Sequence, residues 1–312
     1  MNLTNNRKAP GWYYRLSSFF KDQFGEAVYK IPLDAGFSCP NRDGTIGLEG
    51  CTYCYNPSFA PFSNRDNPLS LSEQLAKGKK KSGSARYLAY FQSYTNTYAP
   101  VEELRILYDQ ALSDPEVIGL SIATRPDCVT DEILKLLENY AASCHLWIEY
   151  GLQSAHDITL KRINRGHDSA AFANVVEKTK NRGIYICAHI ILGLPGETEE
   201  MMLETIAFLN KCGVDGVKFH HLQIIRETAL EKDYAAGKIT IFNNTADYIP
   251  VLCSCLERLS SGIVVHRLAS QATSIDLLIA PHWQEGAGQI ASMVEEELKK
   301  RGTWQGALTE NK

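Results

Sequence analysis

The sequence predicts an α/β fold, a partial (β/α)6 TIM-like barrel, and two observations carry that prediction. From residue 28 onward, short runs rich in β-branched and aromatic residues alternate with stretches of helical period, the order expected of a parallel sheet wrapped by helices. No low-complexity linker or internal repeat interrupts the 312 residues, so one barrel with additions at its ends accounts for the chain.

The strand candidates, in order, are residues 28–33, 86–92, 117–123, 145–150, 184–192 and 214–222. Helical period between them is clearest in TDEILKLLENYAA, where Ile133, Leu136, Leu137 and Tyr140 share one face and Thr130 stands as the cap. In residues 197–212, Met202, Ile206 and Leu209 align in the same way. Beyond residue 240 the pattern becomes irregular: a helix near 246–259, an apolar run at 263–268 and a last helix near 288–300. The expected organisation is an N-terminal extension (1–27), the barrel core (28–240) and a C-terminal α/β extension packed on the barrel (241–312).

Hydrophobic residues make up 44% and charged residues 22%, a balance that suits a large buried core. The formal charge of −4 gives no global basic field, so nucleic acid would have to be met by local patches such as Lys77, Lys79, Lys80, Lys81 and Arg86, or Lys161, Arg162, Arg165 and His167. Both runs also suit ordinary helix ends and solvated faces. No segment approaches the roughly 20 apolar residues of a membrane helix, and the N-terminal stretch lacks a signal-like apolar centre. An odd count of nine cysteines favours reduced thiols, and the chain is expected in the cytoplasm.

The block FSCPNRDGTIGLEGCTYC places Cys39, Cys51 and Cys54 in one loop after the first strand. Gly44, Gly47 and Gly50 let the loop fold back so that three soft thiolates can converge, a donor set for zinc, copper(I) or an iron–sulfur cluster. Structural zinc and ferredoxin clusters take four protein ligands. A fourth is missing nearby, which leaves either one open metal position, and hence chemistry, or a zinc knob completed by a distant residue.

Other candidates sit at strand ends, where α/β barrels gather their sites. They are the turn Ser93, Tyr94, Thr95, Asn96; the pair Arg125 and Asp127, cofactor contact or loop ion pair; and Glu149 inside the apolar run His-Leu-Trp-Ile-Glu-Tyr. A lone carboxylate there needs a cation, with Arg125 or Arg165 as local choices. Alternation puts Cys187 and His189 on one face of the fifth strand, and Lys218 and His220 on one face of the sixth. His189, Lys218 and His220 are the expected catalytic or substrate-facing residues. Cys128, Cys144, Cys187, Cys212, Cys253 and Cys255 carry no second cluster signature, although Cys128 follows the Thr124–Asp127 turn near the mouth.

The three cysteines, with aromatic Tyr53 before the last, resemble the radical S-adenosylmethionine superfamily. The long first gap and the segments FSCPNRDGTIG, RYLAYFQSYT, TRPDC, GLQSAHD, RINRGHD and GLPGE resemble its elongator protein 3-like branch and, more closely, the YhcC/YtqA-type family. The resemblance implies a four-iron, four-sulfur cluster on Cys39, Cys51 and Cys54, with S-adenosylmethionine chelating the open iron. It implies reductive cleavage to a 5′-deoxyadenosyl radical that takes hydrogen from substrate, and a reducing partner of the flavodoxin or ferredoxin kind. The cofactor-binding residues implied are Tyr53, Tyr94, Thr95, Asn96, Arg125, Glu149, Gln153, Arg165, Gly193 and Leu194, although the usual Gly-Gly-Glu is absent after the second strand. By resemblance the substrate is a transfer-RNA wobble uridine. A small metabolite and a non-catalytic redox sensor or electron carrier are the competing readings.

Overall fold

In the computed structural model, which describes residues 11–60, 68–82, 86–270 and 274–309, the backbone is ordered around one parallel sheet. Its strands are β1 (Val28–Leu33), β2 (Arg86–Phe91), β3 (Val117–Thr124), β4 (His145–Gln153), β5 (Tyr185–Leu192), β6 (Gly216–His221) and β8 (Val264–Arg267), in that spatial order. The sheet curls into a half-barrel. Two short strands, β7 (Ile224–Ile225) and β9 (Leu278–Ala280), pair antiparallel beside it. The six expected strands are present, and a seventh joins them from the C-terminal part of the chain, where four residues pair in parallel with β6.

The helices are α1 (Leu16–Phe24), α2 (Leu71–Ser82), α3 (Val101–Leu112), α4 (Asp131–Ala141), α5 (Asp157–Arg162), α6 (Ser169–Thr179), α7 (Glu199–Cys212), α8 (Ala229–Ala235), α9 (Thr245–Arg258) and α10 (Ala287–Arg301). Their starts follow local chemistry. Thr130, Asp168, Thr198 and Asn244 each accept a backbone N–H of the first turn with the side chain, satisfying donors the helix itself leaves free. The predicted apolar faces are the buried ones: Ile133, Leu136, Leu137 and Tyr140 on α4, and Met202, Ile206 and Leu209 on α7. Pro126 closes β3 with a short 3-10 turn before α4 begins at Asp131.

The interior of the half-barrel is layered. At the N-terminal ends of the strands, Phe19 and Phe20 of α1 pack with Val28, Leu88, Trp147, Cys187 and Val264 into a buried floor. Phe19 meets Trp147 and Tyr185 edge-on, each at a centroid distance of 5.4 Å. The segment before α1 also bridges the outer side of β8, where the Val265 N–H donates to Tyr14 O. This floor is what holds α1 under the sheet. Truncating Phe19 to alanine removes a fully buried ring from it, and urea denaturation is expected to read a loss of about 3–5 kcal/mol; a loss below about 1 kcal/mol would mean that the plug is not load-carrying.

Candidate functional site

Above the floor lies a polar layer, one residue from nearly every strand. Glu149 of β4, fully buried, is its centre. One carboxylate oxygen accepts from Lys30 Nζ of β1 at 2.5 Å and from Ser121 Oγ of β3 at 2.6 Å. The other is met by Lys218 Nζ of β6 at 2.5 Å and His189 Nε2 of β5 at 2.6 Å. Lys218 also donates to Tyr90 Oη of β2 at 2.8 Å, and Lys30 lies 3.2 Å from His266 Nδ1 of β8. Burial alone would raise the Glu149 carboxyl, but Lys218, Lys30 and His189 together hold it well below its ordinary value. Lys218 moves the other way: burial, only partly opposed by Glu149, brings its ammonium down to about 8. Burial and Lys218 likewise take His189 down to about 4, so its ring is neutral near pH 7.

The pair with Arg125 or Arg165, the alternative to a cofactor contact for Glu149, is therefore not the one found. Arg125 is held by Asp127 in a two-pronged ion pair at 2.9 and 2.7 Å. It also donates to Arg165 O. Arg165 donates to Gly151 O at 2.6 Å and reaches Cys51 Sγ at 3.6 Å. A Cβ on Gly151 would lie 2.6 Å from the Arg165 guanidinium, so a larger residue here would make the arginine shift.

The cysteine loop is braced by the segment that follows α5. Asn41 Nδ2 donates to Asn164 O and Asn164 Nδ2 to Gly50 O, each at 2.7 Å, while Thr52 N donates to Ile163 O at 3.0 Å. Within the loop Gly44 and Gly50 take left-handed backbone and Gly47 does not. Amide donors approach two of the sulfurs: Asn41 Nδ2 lies 3.7 Å from Cys51 Sγ and Asn56 Nδ2 3.8 Å from Cys54 Sγ. Burial, reinforced by Cys51, pushes the Cys54 thiol up to about 11, and Arg42 donates to Cys54 O. Ligands of one zinc ion would bring sulfurs to about 3.8 Å from one another. Among the described residues, the group of such ligand atoms found within 4.8 Å is instead Glu149, Cys187 and His189, whose carboxylate is already occupied by two ammoniums. Cys39, Cys51 and Cys54 do not form such a group among the described residues, and the N–H donors aimed at sulfur are compatible with an iron–sulfur cluster.

A cavity of about 220 Å3 opens between this loop and the polar layer. On its lining are Cys39, Cys51, Cys54, Tyr53, Tyr94, Thr95, Arg125, Glu149, Gln153, Arg165, His189 and His220, which brings most of the predicted site residues together. Tyr94 and Gln153 hold left-handed backbone (φ 62° and 74°), strain concentrated at the ends of β2 and β4. Thr95 Oγ1 is buried without a partner, an acceptor and donor left for a ligand.

Four predicted residues lie off the lining. Lys218 sits beneath it, bonded to Glu149. Asn96 is fully buried, and its amide ties the Phe91 and Ala123 carbonyls at the ends of β2 and β3. Gly193 does let a flat ring come close, but the ring is Phe242 of the chain itself, 2.8 Å from where a Cβ would stand. Leu194 packs in an apolar cluster with Leu160 and Leu222. Cys128 is off the lining too, its thiol pushed up to about 12 by burial and Asp127. The basic runs are largely spoken for: Lys79 bridges Asp114 and Glu116, Arg86 pairs with Glu26, and Arg162 donates to Pro195 O. The side chain of Lys81 lies outside the described residues.

Sequence reasoning missed Lys30, Tyr90, Ser121, Asn41, Asn56, Asn164 and Arg267. Lys30 had a signal, a charged residue in the middle of the apolar run VYKIPL. Asn41 and Asn164 had none beyond their place in matched motifs, and Asn56 none beyond lying two residues after Cys54.

Residues 39–209 match the Radical SAM superfamily and residues 214–300 the Radical_SAM C-terminal domain. The chain is 38% identical over 297 residues to protein YtqA of Bacillus subtilis, covering 94% of this chain and 92% of the relative. It is 40% identical over 288 residues to protein YhcC of Escherichia coli, covering 92% of each. In fold it is similar to the archaeal Methanocaldococcus infernus Elp3 with an N-terminal deletion, with a TM-score of 0.66 at 16% identity over 89% of this chain and 64% of that one. No helix among the described residues is long and apolar enough to cross a membrane.

Replacing Glu149 by glutamine should leave two buried ammoniums facing a neutral amide, and the unfolding free energy at pH 7 is expected to fall by about 3–5 kcal/mol. Because the folded carboxyl lies well below 4.5, its contribution is complete above that pH and is lost as acid passes through the lower folded value. The gap between wild type and variant should therefore narrow below about pH 4.5 in denaturant titrations, and a gap that stays constant to pH 3 would contradict the pairing.

Proposed function

Since this chain belongs to the radical S-adenosylmethionine superfamily, in the group that includes YhcC and YtqA, we propose that its cavity is the reaction chamber of an enzyme that takes hydrogen from a bound substrate. The cofactors are a four-iron, four-sulfur cluster and S-adenosylmethionine. When bound, they would supply one-electron reductive cleavage of a sulfonium carbon–sulfur bond and, from it, the capacity to remove a hydrogen atom.

The observation that carries this reading is the braced loop with three thiols on the rim of the cavity and, among the described residues, no fourth cysteine on its lining. Cys39, Cys51 and Cys54 would hold the cluster. Asn41, Asn56 and Arg165 donate toward its sulfur ligands, which stabilises negative charge there. Tyr53, Tyr94, Thr95 and Gln153 line the space beside the loop and are the residues we assign to the nucleoside cofactor, with Arg125 and Arg165 as fixed positive charge. His189 and His220 face the deeper end, toward substrate, and Lys218 with Glu149 fixes the position of His189 from below. The buried polar layer and the aromatic floor exclude water from that end, which protects a reactive intermediate.

Anaerobically reconstituted protein given dithionite and S-adenosylmethionine should form 5′-deoxyadenosine. Alanine at Cys39, Cys51 or Cys54 should abolish both the iron–sulfur absorbance and that product. Zinc in place of iron and sulfide, or full iron retention in those variants, would refute the reading, and a reversible cluster without 5′-deoxyadenosine would favour an electron carrier.

For the substrate we favour a transfer-RNA wobble uridine, on the strength of the motifs shared with the elongator protein 3-like and YhcC/YtqA-type branches. The electron would come from a protein of the flavodoxin or ferredoxin kind. Nucleoside analysis of bulk transfer RNA from deletion and parent cells should show one wobble-uridine derivative replaced by its precursor. An identical profile would turn the assignment to a small metabolite.

A further inference from the structure

Four arginines line the cavity, and three of them are tied down: Arg42 to Cys54 O, Arg125 to Asp127, and Arg165 to Gly151 O and Cys51. The guanidinium of Arg267, on β8, makes no hydrogen bond or ion pair with any described residue. It stands in register with Lys218, at a point where the β6–β8 pairing shifts. Such a shift re-aims side chains, and here it lets His266 reach Lys30 at 3.2 Å while Arg267 still reaches the lining. Three cations, Lys30, Lys218 and Arg267, thus share this end of the barrel, and Glu149 is the one carboxylate on the lining. Two positive charges are left without a carboxylate among these residues, with Lys218 buried and Lys30 and Arg267 half-buried, and an anion entering the cavity would meet that surplus. The lowered Lys218 agrees with that crowding, since burial, Lys30 and Arg267 all act on it in the same direction.

Beside Arg267, His220 has a second open valence. Ser270 Oγ donates to His221 O at 3.1 Å, so its lone pair is what His220 Nδ1–H meets at 3.2 Å. That fixes the tautomer from the network and leaves Nε2 an acceptor, buried and without a partner. Burial and the neighbouring His189, Arg267 and Lys218 hold the ring neutral.

We propose that the β6–β8 side of the cavity is a substrate subsite in which Arg267 pairs with an oxyanion, a carboxylate or a phosphate, and His220 Nε2 accepts an N–H or O–H next to it. The proposal rests on the radical reading above only in taking the ligand to be the substrate. A guanidinium is suited to the task because its planar fork meets two oxygens of such a group at once.

The test uses reconstituted holoenzyme saturated with S-adenosylmethionine, so that the cofactor's own carboxylate is already accommodated. Glycine, acetate and inorganic phosphate are the probes, titrated calorimetrically into wild type, Arg267→Gln and Arg267→Lys, with phenylglyoxal labelling of Arg267 in wild type read by peptide mass spectrometry. The expected result is saturable binding that protects Arg267 from the label, weakens about tenfold or more in Arg267→Gln and is only partly kept in Arg267→Lys, which retains the charge but not the two-pronged geometry. Tighter binding of glycine than acetate identifies a carboxylate flanked by a donor, and tighter binding of phosphate identifies a phosphorylated group. Equal binding to wild type and Arg267→Gln, no binding to either, or binding that disappears when S-adenosylmethionine is present overturns the proposal. Formation of 5′-deoxyadenosine by the wild type is read separately, so failure of the radical reaction and failure of the oxyanion subsite are told apart.

Discussion

Everything above the floor of this half-barrel is organised by one fully buried carboxylate. Glu149 gathers side chains from β1, β3, β5 and β6 onto its two oxygens, so its ionised state is the common condition for where Lys30, Ser121, His189 and Lys218 stand. Such a hub is poor at adding stability compared with an apolar core of the same volume, and strong at selecting one arrangement, because any partner displaced leaves a charge unpaired in a dry interior. A chamber that handles a reactive species has use for that kind of rigidity. The bottom is sealed by aromatic packing and the centre by the contacts of Glu149, while unpartnered groups remain on the β6–β8 side and at the end where the cysteine loop sits.

Much of this was legible in the sequence, for reasons that differ from element to element. Hydrophobic alternation and helical period reported the six long strands and α4 and α7, since burial on one face leaves a local trace. The cysteine loop was legible because thiol spacing is a local property. Glu149 was visible as a charge inside an apolar run, yet its partners were not: Lys30 lies 119 residues away and Lys218 69, joined only when the sheet curls. The guess of Arg125 or Arg165 failed because both guanidiniums are consumed nearer home, by Asp127 and by the Gly151 carbonyl. At Gly193 the close approach that the backbone permits is taken up by Phe242, which no local pattern announced. Arg267 was hidden by the irregular pairing of a four-residue strand, where strict alternation no longer says which side chains point inward.

The matched segment RINRGHD has a physical meaning apart from any shared ancestry. Asn164, in left-handed backbone at φ 52°, exchanges amide hydrogen bonds with both ends of the cysteine loop, and Arg165 next to it reaches one of the sulfurs. The loop owes its shape to a segment more than a hundred residues downstream.

The two family matches meet between residues 209 and 214, and that junction falls in the middle of a continuous hydrogen-bonded sheet: β5 lies on one side of it, β6 and β8 on the other. Inheritance of the two parts is therefore constrained. A C-terminal portion borrowed from a distant cousin would have to bring a lysine placed to meet Glu149 and a ring placed to cover Gly193, or else strip β5 of its neighbour. The boundary between the two matches is thus no seam in the structure, and either part lacks its neighbour without the other.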